Sequence, residues 1–137
     1  MTRTLQRTLL LVLAATGAYA GPWATIAPRS FYDSFPGFGR VWVGVDGAYN
    51  EHLIRDVGAT YTALLVLSLL AALSLQPTVV MVAGATWLTF GTLHASYHLP
   101  HLGEYGALDQ VLNAIALGGS VVMAALLVLP RRDRAGA

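Results

Sequence analysis

The chain has 137 residues, 55% of them hydrophobic and 11% charged, with a formal net charge of +1. A soluble domain carries about 25% charged residues, so this composition speaks against a water-soluble globule, and the small charge excess gives no electrostatic case for nucleic acid. There is no cysteine, which excludes disulfides, thiolate metal sites, iron–sulfur clusters and cysteine nucleophiles.

Crossing a bilayer core of about 30 Å takes roughly 20 apolar residues in a helix. Four stretches qualify: Leu9 to Ala27 (with Pro22 near its far end), Val57 to Leu75, Thr78 to Leu99, and Val111 to Pro130. None contains Asp, Glu, Lys or Arg. Hydrocarbon tolerates no unpaired backbone groups, so helices are expected. The predicted fold is all-α: one membrane domain over residues 1–137, built as a four-helix transmembrane bundle with a long aromatic extracytoplasmic loop between its first two helices. The first span has a rival reading as a signal peptide, because Arg3 and Arg7 precede the apolar run and Ala18-Tyr19-Ala20 has the form of a cleavage site.

Arg3, Arg7, Arg131, Arg132 and Arg134 fall on one side of such a bundle with the tight turn at Gln76-Pro77, against Arg29, Arg40 and Arg55 on the other. The positive-inside rule then puts both termini in the cytoplasm of a multi-pass cell-membrane protein. The terminal arginines read as a topology anchor.

The connection from about Pro28 to Asn50 carries Phe31, Tyr32, Phe35, Phe38, Trp42 and Tyr49. Phe31, Phe35 and Phe38 share a helical face, with Pro28 suited to a first turn and Pro36-Gly37 interrupting the pattern. Val41, Val43 and Val45 alternate as in a short strand, Asp46-Gly47 reads as a turn, and Asn50 suits an N-cap. The segment is expected to lie in the membrane interface, where aromatic rings settle. The alternative is a lid over a site between the helices.

The most informative polar residues sit at the ends of three spans that topology brings to one membrane level. His52 and Asp56, His94 and His98, and Asp109 and Asn113 are each four apart, on one helix face. His52, Asp56, His94, His98 and Asp109 are therefore the candidate ligands of a divalent metal, for which imidazole and carboxylate donors suit zinc, iron or manganese. Glu51 and Arg55 are expected at the rim as a pair, and Tyr61, Tyr97, His101 and Asn113 as further lining, with Thr62 beside Tyr61 at the floor. Pro100 should end the helix, leaving His101 in a loop. Two other readings stay open: a titratable pocket, and interfacial residues paired with one another or with headgroups.

Gly58, Gly84, Gly91, Ala114, Gly118 and Gly119 read as points of close helix contact, Ala114 and Gly118 with small-x-x-x-small spacing. Trp87 and Phe90 read as packing residues. No internal repeat stands out.

Three stretches, Pro28 to Gly37 (PRSFYDSFPG), Tyr49 to Ala59 (YNEHLIRDVGA) and His94 to Gln110 (HASYHLPHLGEYGALDQ), resemble an uncharacterised family of small, largely actinobacterial, multi-pass membrane proteins. The resemblance covers about a third of the chain; it implies topology and transfers no catalytic residue. In size and four-helix layout alone the chain is similar to the DoxX-like membrane proteins, associated with respiratory or redox systems, which would imply an accessory or structural subunit. The function classes left are a metal-dependent membrane enzyme, a small-molecule or proton-coupled binding protein, and such a subunit. The bilayer is the expected partner, with a homo-oligomer or larger complex as further options. A transporter ranks below these, since no pair of broken helices marks a midplane site.

Overall fold

The computed structural model describes residues 1–129; the expected anchor at Arg131, Arg132 and Arg134 lies outside them. Four long helices form: α1 (Arg3–Ile26), α3 (Glu51–Ser74), α4 (Pro77–His98) and α5 (Ala107–Val128), with a short α2 (Pro28–Ser34) after α1. The four are long and apolar enough to cross a membrane.

Their ends follow local chemistry. Thr2 caps α1 by accepting from the Leu5 amide at 3.2 Å, and Asn50 caps α3 by accepting from Leu53 N at 3.2 Å. Leu75 ends α3 in the left-handed region (φ 49°) and Pro77 opens α4, which makes the turn tight. As expected from Pro100, α4 ends at His98 and gives way to a 3-10 turn, Leu99–Glu104, that contains His101.

α1 packs most extensively on α3, and α4 on α5, while α3 meets α4 along a shorter seam. The α1–α3 crossing is set by missing side chains. A Cβ on Gly58 would lie 2.6 Å from the Thr25 amide nitrogen, and one on Gly21 would lie 2.8 Å from the Thr62 nitrogen. One on Gly17 would lie 2.8 Å from the Tyr61 carbonyl oxygen. Gly17-x-x-x-Gly21 thus lays backbone on backbone, the small-residue mode of membrane helix contact. On α4, a Cβ on Gly84 would lie 2.7 Å from the Leu127 Cβ and one on Gly91 3.2 Å from Val121 Cγ2, so α5 comes close at both. The contact expected at Gly118 and Gly119 is not made: a Cβ at either meets nothing within 4 Å. Those two lie on α5 where no neighbouring helix comes close.

The half of the bundle nearer the α3–α4 turn is solid. Leu10, Leu13, Leu64, Val80, Trp87 and Leu127 are all but fully buried there. Its polar groups are paired: Trp87 Nε1 donates to Ser68 Oγ at 2.7 Å, and Ser68 Oγ donates to the Leu64 carbonyl at 2.7 Å.

Residues 27–50 fold back over the other half. Phe31 on α2 and Phe35 at its C-cap lie 4.5 Å apart between ring centroids, tilted by 36°. Phe38 leaves their face, because it turns at φ 58° and is 95% exposed. β1 (Pro36–Gly37) pairs antiparallel with β2 (Arg40–Val41), Gly37 opposite Arg40. The longer alternating strand expected through Val45 does not form: β2 stops at Val41, and the Asp46 amide closes a turn on the Val43 carbonyl at 3.1 Å. Phe31 is buried with Ala20, Ala24 and Ile54, and Tyr32, Phe35, Val43 and Tyr49 pack around them, so the segment rests on α1 and α3.

Candidate ligand pocket

Between this covering segment and the helices lies a cavity of about 340 Å³. That volume falls in the range of small-molecule sites, about 300–1,000 Å³. Its walls are mostly apolar and aromatic: Phe31, Phe35, Trp42 and Val43 from above, Ala20 from α1, Leu53, Ile54, Val57 and Tyr61 from α3, and Tyr97 from α4. His94, His98, Asp46, Tyr105 and Asn113 add polar groups. A second hollow of about 110 Å³ adjoins it through shared walls at Phe35, Trp42, Tyr61, His94 and Asn113, and reaches Trp87 and Phe90 below.

The cover is held by six polar contacts. Asp109 on α5 takes Arg40 Nη1 at 2.6 Å and Trp42 Nε1 at 2.8 Å on one carboxylate oxygen. Asp46 accepts the Tyr105 hydroxyl at 2.5 Å on Oδ1, and its Oδ2 lies 3.3 Å from His98 Nδ1 on α4. Tyr105 also reaches the Trp42 carbonyl at 3.1 Å, and Tyr19 on α1 donates to the Pro36 carbonyl at 2.7 Å. Burial and the Asp46 carboxylate push the Tyr105 phenol above its ordinary pKa, so it stays a donor across the neutral range.

The five candidate metal ligands divide into three places. His52 and Asp56 pair with each other at 3.3 Å, but their side chains are 83% and 62% exposed, on the outside of α3. His94 and His98 are neighbours at 4.4 Å between ring centroids and face the cavity. Asp109 is committed to Arg40 and Trp42. A metal needs donors about 2 Å from one centre, and the described residues hold no group of three or more His, Cys, Asp or Glu placed to do this. The shared face of each pair is real; α3 simply turns His52 and Asp56 away from the face that carries Tyr61.

The expected rim and lining residues also separate. Glu51 and Arg55 pair at 2.9 Å as expected, and Arg55 also reaches the Thr25 carbonyl. They brace α3 against the end of α1 and do not line the cavity. Tyr61, Tyr97 and Asn113 do line it, while His101 stacks on Tyr97 at 4.7 Å on the exposed side. Thr62 lies under Gly21 at the α1–α3 crossing and so is not floor. Trp87 packs as expected; Phe90 packs against Tyr61 at 5.1 Å and borders the smaller hollow.

Sequence reading passed over Asp46, Trp42, Arg40 and Tyr105. Asp46 precedes a glycine and so reads as a turn residue, and nothing in local spacing reveals that a loop carboxylate will meet a histidine fifty-two positions on. The wealth of aromatic residues in the segment was the available signal.

Among the described residues, four polar side chains lining the cavity make no hydrogen bond to protein: that of Tyr97, half exposed at the rim, and three less exposed ones. Those three are the Tyr61 hydroxyl, the His94 ring nitrogens and the Asn113 amide. His94 has ring contacts only, stacked on Phe90 at 5.3 Å and edge-on to Tyr61 at 6.3 Å. None of the three is sealed into packed protein, so their polar atoms open into the cavity. Comparison of the chain with protein-family models, with curated proteins and with solved structures finds no match.

Proposed function

We propose that this multi-pass membrane protein binds a small, neutral, lipophilic molecule in the pocket under residues 27–50, with that cover on the extracytoplasmic side. The observation that carries the reading is the coincidence of an aromatic cavity with three unpartnered polar side chains, contributed by three different helices. Polar groups turned inward at membrane depth are costly unless something meets them. Apolar walls with a few convergent polar groups are the usual composition of a ligand site. Neutrality of the ligand follows from the lining: among the described residues no Lys or Arg faces the cavity, and the one carboxylate there, Asp46, is occupied by Tyr105 and His98.

The test is extraction of detergent-purified protein and mass spectrometry of what comes off. The expected result is an organic molecule near one per chain in the wild type, lost from a folded His94→Leu/Asn113→Leu variant. Identical extracts from both proteins would overturn the proposal.

A further inference from the structure

Given a ligand pocket as proposed above, we infer that its ligand enters sideways from the lipid through the α3–α4 seam, and that it is a tailed ring lipid whose ring oxygens are carbonyls or hydroxyls, the quinone and quinol class.

The route comes from the exposure of the lining. Leu53 and Val57 on α3 and Tyr97 on α4 line the cavity, yet they are 58%, 38% and 53% exposed. A residue that both lines a cavity and faces outward marks its mouth. Leu53 and Val57 are one turn apart on the face of α3 toward α4, so the mouth is a slot along the seam between two membrane-spanning helices. The α1–α3 and α4–α5 seams are close-packed. Gly17, Gly21 and Gly58 bring α1 and α3 into backbone contact, and Gly84 and Gly91 close α4 on α5. The end beyond the helices is covered by residues 27–50, latched through Asp109 and Asp46. An apolar slot with a latched top admits a molecule dissolved in lipid more readily than one dissolved in water.

The class comes from the chemistry at the closed end. Tyr61, neutral His94 and Asn113 each offer both a donor and an acceptor. They can therefore satisfy an oxygen either as a carbonyl, which only accepts, or as a hydroxyl, which also donates. Phe31, Phe35 and Trp42 supply faces against which a flat ring stacks. A volume of about 340 Å³ holds a substituted ring and a few carbons, which leaves a long tail in the slot and the lipid. Among the described residues the lining holds no Lys or Arg, which disfavours phosphate or carboxylate heads.

The experiment uses the full chain in phosphatidylcholine vesicles, with quenching of tryptophan fluorescence by decylubiquinone, since Trp42 lines the cavity. Three proteins are compared: the wild type, His94→Leu/Asn113→Leu, and Leu53→Phe/Val57→Phe, which fills the slot at exposed positions without adding a tryptophan. Val57→Ala is a fourth, opening the slot. The expectation is saturable quenching in the wild type. Loss of two buried hydrogen bonds, at about 1.4 kcal/mol for each factor of ten, weakens binding by up to roughly a hundredfold in the polar variant. The filled slot slows the approach to saturation several-fold, and Val57→Ala speeds it. If filling the slot leaves the rate unchanged, and the tail-free ring binds from water as fast as the tailed probe, lateral entry is wrong. If the quinone fails to bind but other neutral lipophiles still stabilise the wild type, the class is wrong and the pocket reading stands. If nothing stabilises it, both fall.

Discussion

The two halves of this bundle are built from the same kinds of residue and end in opposite states. Near the α3–α4 turn, Trp87 is fully buried and its indole nitrogen is paired with Ser68, which is paired in turn with the α3 backbone. One helical turn and more toward the cover, Asn113 is buried and Tyr61 and His94 are partly buried, and none of the three has a hydrogen-bonded protein partner among the described residues. Polar groups in the first half serve packing; in the second they surround a hollow. A fold normally pairs what it buries, and the unpaired set around a cavity is the contrast on which the proposed ligand site rests.

The sharpest way to break this contrast is at the crossing that separates the hollow from the α1 side. Gly58→Leu would drive its side chain into the Thr25 backbone. Overpacking of this kind is expected to cost roughly 3 kcal/mol or more, read as a loss of folded monomer in detergent and a lowered melting temperature. Gly118→Ala, which meets nothing within 4 Å, is expected to leave both unchanged. Equal damage from the two would refute the assignment of helix contacts.

Smaller and more discriminating is the pair Trp87→Phe and Tyr61→Phe. The first breaks a buried hydrogen bond and should cost about 1 kcal/mol. The second removes a hydroxyl with no partner, so thermal stability in the absence of ligand should be unchanged or slightly raised. A comparable loss in both would mean that the hollow half is as fully paired as the solid one.

The latch gives a third test. Asp109→Ala removes the acceptor shared by Arg40 and Trp42. A cysteine placed at Val43, in a chain that otherwise has none, should then react several-fold faster with a membrane-impermeant maleimide. Labelling from the extracytoplasmic side alone would support the proposed orientation, and labelling from the cytoplasm alone would reverse it.

The weakest expected effect is on pH dependence. The Tyr105 phenol is raised above its ordinary value of about 10 by burial and by Asp46. A group raised on folding contributes stability that is complete below the unfolded value and fades as pH climbs through the folded one. Tyr105→Phe should therefore be less stable than the wild type by a constant margin below about pH 10, and the margin should shrink above it. A margin that grows with alkalinity would contradict the direction of the shift.

The helices were legible because long apolar runs, Asn50, Pro77 and Pro100 each act locally. The level at which polar residues gather was legible too, since an up-and-down chain brings its helix ends together. The rotation of each helix was not. His52 and Asp56 satisfy the same spacing as His94 and His98, but spacing fixes which residues share a face and not which neighbour that face meets. Gly58, Gly21 and Gly17 settle the rotation of α3, and only Gly58 was noted as a contact point. The partner of Asp109 was hidden for a different reason: Arg40 and Trp42 arrive from a connection whose path depends on Phe31 and Phe35 packing against α1 and α3.

The most direct measurement of the central claim is the thermal stabilisation of detergent-purified protein across a set of neutral lipophilic molecules, wild type against Tyr61→Phe/His94→Leu/Asn113→Leu. The account predicts saturable stabilisation of the wild type by some members of the set, absent from the triple variant, with the unliganded variant at least as stable as the wild type. A triple variant that melts well below the wild type, or that is stabilised by the same molecules to the same extent, would contradict it.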